Sequence, residues 1–200
     1  GLDLASVRDI TAFVMLFHDE ATDTWYVLPK FWIPEESMRI RAKRDRVDYD
    51  VWVRQGWIQT TEGDRTDYKK VRADIDESAN RFGIKQIAVD RLFQGEETCH
   101  ELTNMGHDVV AFGQGFLSMA APTKRFDELF FAKQFEHDGS PVMRWMISNC
   151  STEEDAAGNR KPSKKKSAEK IDGVVSALMA LGIGMNQDSN IYEFAKGGLA

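Results

Sequence analysis

Two hundred residues, 42% hydrophobic and 29% charged, are enough for one domain with a sizeable core and exclude a disordered chain. A formal net charge of −6 excludes a polycation, so any nucleic-acid contact must come from local basic patches. Cys99 and Cys150 form no CxxC pair, which predicts two free thiols in a reducing compartment and neither a zinc site nor a disulfide framework. No apolar run approaches the roughly 18 residues of a membrane span. The opening "GLDLAS" shows no signal-peptide pattern and no initiator Met, which predicts a domain excised from a longer protein.

In chain order, residues 1–5 predict a short strand, "ITAFVMLFHD" (10–19) a second and "TWYVLPKFWIP" (24–34) a third. The polar "DEATD" between the last two predicts an antiparallel hairpin. Residues 35–56 read as a charged helical stretch, and 58–64 as a short extended piece or loop. "DYKKVRADIDESANRFG" (67–83) is an amphipathic helix, with Val71, Ile75 and Ala79 on one face and Gly83 placed to end it. A strand over 84–90, a helix over 94–105 and a strand over 107–115 follow. Residues 122–139 predict a helix opened by Pro122 and ended by Gly139, and 142–150 a strand. The polar 151–169 is a mobile loop or hairpin, leading to a helix at "EKIDGVVSALMALG" (169–182). A meander followed by strand–helix alternation predicts an α/β fold: a mixed sheet of antiparallel and parallel strands, with helices on both faces. The expected domain is 1–184, with 185–200 a loosely ordered tail.

Three aspartates stand out by position. Asp3 lies within the first strand, Asp90 ends the strand "IKQIAVD", and Asp172 sits beside the apolar face of the last helix. An Asp at a strand end also serves as a turn former, and one in a first helical turn suits the helix dipole. Asp3 is harder to explain that way, because Asp is depleted in strands and a buried carboxylate needs a partner. If the three converge, their mutual repulsion calls for a hard divalent cation such as Mg²⁺ or Mn²⁺. Spacing alone does not establish that convergence.

"GLDLASVRDITAFVMLF", "WYVLPKFWIPEE", "DYDVWVRQGWI", "IKQIAVD", "GQGFLSMAAPTKRFDEL", "PVMRWMISNC" and "KPSKKKSAEKIDGVVSALMALG" together resemble the C-terminal nuclease domain of tailed-phage terminase large subunits. The resemblance runs to about residue 184. It implies an RNase H-like fold in which Asp3, Asp90 and Asp172 hold two Mg²⁺ or Mn²⁺ ions. It implies cleavage of concatemeric viral DNA to 3′-hydroxyl and 5′-phosphate ends, in the cytoplasm of an infected bacterium. The implied partners are double-stranded viral DNA, an ATPase domain on the same full-length chain, the small terminase subunit and the portal, with a five-subunit ring and no membrane. One departure concerns Asp90: many relatives continue with Pro and an aromatic residue, whereas here Arg91-Leu92-Phe93 follows.

A nuclease must neutralise phosphates. "RIRAKRDR" (39–46) offers Arg39, Arg41, Lys43, Arg44 and Arg46; "RKPSKKKSAEK" (160–170) offers Arg160, Lys161, Lys164, Lys165, Lys166 and Lys170. Either run also reads as a solvated charged face. The glycines of "FGQGF" (112–116) let backbone approach DNA closely or simply end a strand. His18, His100, His107 and His137 lack metal spacing and read as structural, while Asp9 and Asp108 are possible auxiliary acids. The five tryptophans read as core or hairpin packing. No GxxxxGK[ST] occurs, so ATP is expected to be neither bound nor needed for bare cleavage. Two other readings stay open: an RNase H-like resolvase or transposase-type nuclease, and a non-catalytic module that docks DNA or the portal.

Overall fold

The hairpin predicted near the start is the spine of the sheet. The computed structural model describes residues 1–4, 10–45, 47–90 and 95–197, with side chains described through residue 185. β2 (Thr11–Asp19) and β3 (Thr24–Pro34) pair antiparallel without a break, from Thr11↔Trp32 to Asp19↔Thr24. β1 (Leu2–Asp3) pairs antiparallel with β2 on one side. On its other side it pairs parallel with β5 (Ile87–Asp90), and β6 (Val109–Phe112) continues beyond β5. β4 (Gln59–Thr61) extends the other edge alongside β3, giving the order β4-β3-β2-β1-β5-β6. A short β7 (Phe135–His137) pairs with the opposite end of β3.

Period-two alternation sends the central strands to two different cores. Leu2, Phe13, Met15, Ile87 and Val89 face α3 (Tyr68–Phe82) and α4 (Gly95–Asn104), where Val71, Ile75, Ala79 and Leu102 are buried. The predicted amphipathic face of α3 is therefore the buried one. Asp67 caps its N-terminus, accepting from the Lys69 and Lys70 amides, and Gly83 ends it in the left-handed conformation. Ala12, Val14 and Ala88 face the opposite way, towards α7 (Asp172–Gly197). Residues 172–183 of this last helix are buried throughout, because the sheet covers one side and α5 (Phe116–Phe131) and α6 (Pro141–Asn149) the other. A helix apolar on all sides belongs inside a protein. Its backbone continues through 186–197, the stretch the sequence assigns to a tail.

Three predicted elements differ. The charged stretch 35–56 is two helices, α1 (Glu35–Asp45) and α2 (Tyr49–Arg54), with residue 46 outside the described set. The helix expected over 122–139 begins earlier, at Phe116, with Pro122 inside it, and ends at Phe131. The Ser118 and Met119 amides already bond the Gly115 carbonyl, so the helix is nucleated before Pro122 is reached. Phe135–His137 then leave as β7 rather than continuing to Gly139. Residues 142–150 form α6, not a strand. Ser140 caps it by accepting from the Met143 amide at 3.2 Å, Pro141 opens it, and Val142, Met143 and Met146 share its buried face. The polar 151–169 resolves as a hairpin, β8 (Thr152–Glu154) with β9 (Arg160–Pro162), followed by a turn.

Candidate active site

The sheet has a topological switch between β1 and β5. The chain leaves β1 for β2 on one side and leaves β5 through α4 for β6 on the other, and in open α/β sheets such a switch point, at the carboxyl ends of neighbouring parallel strands, is where ligands bind. Asp3 ends β1 and Asp90 ends β5. The register Leu2↔Val89 sets the two acids side by side, on the sheet face that Ala88 marks as α7's.

α7 delivers Asp172 to the same place. Ser176, one turn along the helix from Asp172, is fully buried. Its hydroxyl accepts from the Asp3 amide at 3.1 Å and donates to the Ala12 carbonyl at 2.9 Å. This pins the helix across β1 and β2 and fixes where Asp172 falls. Ser176→Ala removes the acceptor of a buried amide and is expected to cost about 1–3 kcal/mol. Urea denaturation reads that loss, and an unchanged midpoint would show that the pin carries no stability.

Asp3 and Asp172 are 1% and 6% exposed. The Lys164 ammonium lies 2.7 Å from Asp3 Oδ2 and 3.1 Å from Asp172 Oδ1, while Gln114 Nε2 donates to Asp3 Oδ1 at 3.0 Å. Burial opposes the charge on Lys164, but Asp3 and Asp172 outweigh it and raise its pKa above the ordinary lysine value. Asp3 and Asp172 thus meet through one cation, and Asp90 stands next to Asp3 along the sheet. Among the described residues, no three His, Cys, Asp or Glu side chains lie close enough to hold one ion. The donor chemistry nevertheless fits a hard divalent cation: the acids supply only carboxylate oxygens, and two of them already converge on positive charge.

A family model described as the terminase large subunit, endonuclease domain, matches residues 1–188. The chain belongs to that family. This terminase endonuclease domain is 38% identical to the terminase large subunit of Enterobacteria phage HK97 over 185 residues, covering 91% of this chain and 36% of the relative. It is 28% identical to protein YmfN of Escherichia coli K12, covering 92% of this chain and 42% of that protein. The chain therefore spans less than half the length of these curated relatives. The crystal structure of the HK97 large terminase matches with a TM-score of 0.84 at 36% identity, over 91% of this chain and 38% of that one. The large terminase nuclease of thermophilic phage G20c with bound magnesium matches with a TM-score of 0.58 at 13% identity, over 90% and 78%. The mixed sheet with helices on both faces is the RNase H-like arrangement of these terminase nucleases.

The two basic runs of this terminase domain take different positions. Arg39 pairs with Glu35 and Arg44 with Asp45, both within α1, and Lys43 is exposed there. Arg41 lies near Tyr49, whose hydroxyl is bonded to Asp45. The second run is at the site itself. Besides Lys164, Lys161 pairs with Glu153 at 2.7 Å and lies over the Phe116 ring, while Lys165 and Lys166 are exposed on the turn after β9 and Lys170 is half-buried. The hydrogen bond from Lys161 holds the Glu153 carboxyl below the ordinary glutamate range.

The histidines take structural places. His107 bonds Asp76 at 2.7 Å, and His18 bonds Asp23 and stacks on Trp25. Asp108 accepts from Gln86 at the far end of β6, and Asp9, Arg46 and Arg91-Leu92-Phe93 lie outside the described residues. No described helix is long and apolar enough to cross a membrane. Gln114 and Ser176 are absent from the sequence-based candidates. The glycines are the conspicuous feature of "FGQGF", but the side chain between them is what reaches Asp3.

Proposed function

We propose that this domain is a metal-dependent DNA endonuclease that cuts concatemeric viral genomes during packaging. The observation that carries the reading is the meeting of two buried carboxylates, Asp3 and Asp172, at the switch point where Asp90 also ends its strand. The magnesium bound to the G20c relative supports the choice of cation. Asp3, Asp90 and Asp172 would hold two Mg²⁺ or Mn²⁺ ions. When bound, such ions supply an activated water and charge stabilisation at the leaving oxygen, which leaves 3′-hydroxyl and 5′-phosphate ends.

The chain's own contribution is placement. Ser176 and the sheet register fix the acids, and Gln114 orients Asp3 by holding one of its oxygens. Lys161, Lys164, Lys165, Lys166 and Lys170 are the basic run that would hold the phosphate backbone, with Arg39, Arg41, Lys43 and Arg44 a second candidate. Residues 1–184 would act as the nuclease unit. An ATPase domain, the small terminase subunit and the portal would be its partners in the cytoplasm of an infected bacterium.

Incubating the chain with supercoiled plasmid tests this. Nicking and linearisation are expected with Mg²⁺ or Mn²⁺ and none with excess EDTA. Cleavage that persists in EDTA would overturn metal dependence, and no cleavage with either ion would favour a binding module.

A further inference from the structure

Lys164 occupies the position a cation would take between Asp3 and Asp172. Its ammonium contacts one oxygen of each acid, at 2.7 and 3.1 Å. Gln114 holds the other oxygen of Asp3, so a metal reaching Asp3 Oδ2 must compete with the lysine. An ammonium and a divalent ion cannot share that buried oxygen pair, because their repulsion is weakly screened there.

The segment that carries Lys164 is firmly held on both sides. The Ser163 amide donates to the Ser151 carbonyl at 2.9 Å, and the Ser163 hydroxyl to Glu153 at 3.1 Å. The Ser167 hydroxyl donates to the Ser163 carbonyl at 2.8 Å and accepts from the Ser151 amide at 3.0 Å. Arg160 ties the same hairpin to Asp127 on α5 at 2.6 Å. The backbone is thus a fixed base. The Lys164 side chain is 48% exposed, on a flexible four-carbon stem.

We propose that Lys164 is a resident counter-ion of the acid pair, displaced when a divalent cation loads, so that cation and lysine exchange for one another. The proposal rests on reading Asp3 and Asp172 as metal ligands. The exchange keeps two buried carboxylates compensated before metal arrives, and it weakens metal binding in proportion to the time Lys164 spends in place.

Titration of MnCl₂ into the DNA-free chain, followed by calorimetry at fixed ionic strength, tests it without any cleavage assay. If the acid pair is clear of Lys164 about a tenth of the time or less, Lys164→Met tightens Mn²⁺ binding by about tenfold or more. Lys164→Arg keeps the positive charge and is expected to show no such tightening. Lys164→Gln, which retains a donor without the charge, replaces the Met variant should that one fail to fold. Mn²⁺ binding that is unchanged or weaker in the uncharged variant, yet abolished by Asp172→Asn, would leave the metal site standing and overturn the exchange. Absence of Mn²⁺ binding in both the unsubstituted chain and the uncharged variant would overturn the metal reading together with the exchange.

Discussion

Asn in place of Asp3, Asp90 or Asp172 is expected to lower metal-dependent plasmid cleavage by well over the roughly 10–100-fold that loss of an outer partner of a metal site costs. The substitution keeps the side chain's shape and removes its charge. At Asp3 the amide oxygen still accepts from Lys164 or Gln114, so the local contacts need not collapse. At Asp172, Lys164 retains Asp3 as its partner, and one buried charge is gone. The fold should therefore survive while the capacity to bind a hard cation does not. Circular dichroism and melting temperature check the first part, and an agarose-gel time course the second. A folded variant that cuts at the unsubstituted rate would remove that residue from the site.

The second large effect is expected from one added methyl group. A β-carbon on Gly95 would overlap the carbonyl oxygen of Asp90 and stand 2.9 Å from its carbonyl carbon. Both are backbone atoms, so no side-chain rotation relieves the clash. Either the first turn of α4 or the end of β5 has to move. Overpacking of this kind costs about 1–3 kcal/mol. A shift of about 1 Å at a catalytic group costs on the order of 100-fold in rate. Gly95→Ala should thus lower cleavage far more than a modest fall in melting temperature would suggest. If both quantities stay at their unsubstituted values, α4 does not fix the position of Asp90.

Elements whose own residues carry a strong pattern, an apolar, β-branched and aromatic run for a strand or one apolar stripe for a helix, are readable without their neighbours. The β2–β3 hairpin and α3 are of that kind, and α3 even carries both its end signals, Asp67 and Gly83. Elements decided by their neighbours are not. "VMRWMISN" contains no strong local preference, and Ser140 and Pro141 before it are the signals that make it a helix. Pro122 is a plausible helix start until the turn begun at Gly115 has already enclosed it. The site divides in the same way. Carboxylates in unsuitable places are conspicuous, so Asp3 and Asp172 stand out in the sequence. The contacts of Gln114 and Ser176 and the proposed role of Lys164 depend on which strand lies beside which helix, and no local pattern carries that.

The order of the elements along the chain has a consequence for biosynthesis. Asp3 and Asp90 belong to early strands, whereas Asp172 opens α7, which also supplies the buried layer over Ala12, Val14 and Ala88. A nascent chain that has not yet emerged past residue 171 lacks both the third acid and the cover for one face of its sheet. Domains fold as units during synthesis, so on the proposed reading the same late event closes the core and completes the cutting centre. An incompletely translated copy of this nuclease would then be inert towards DNA by construction, with no separate inhibitor required.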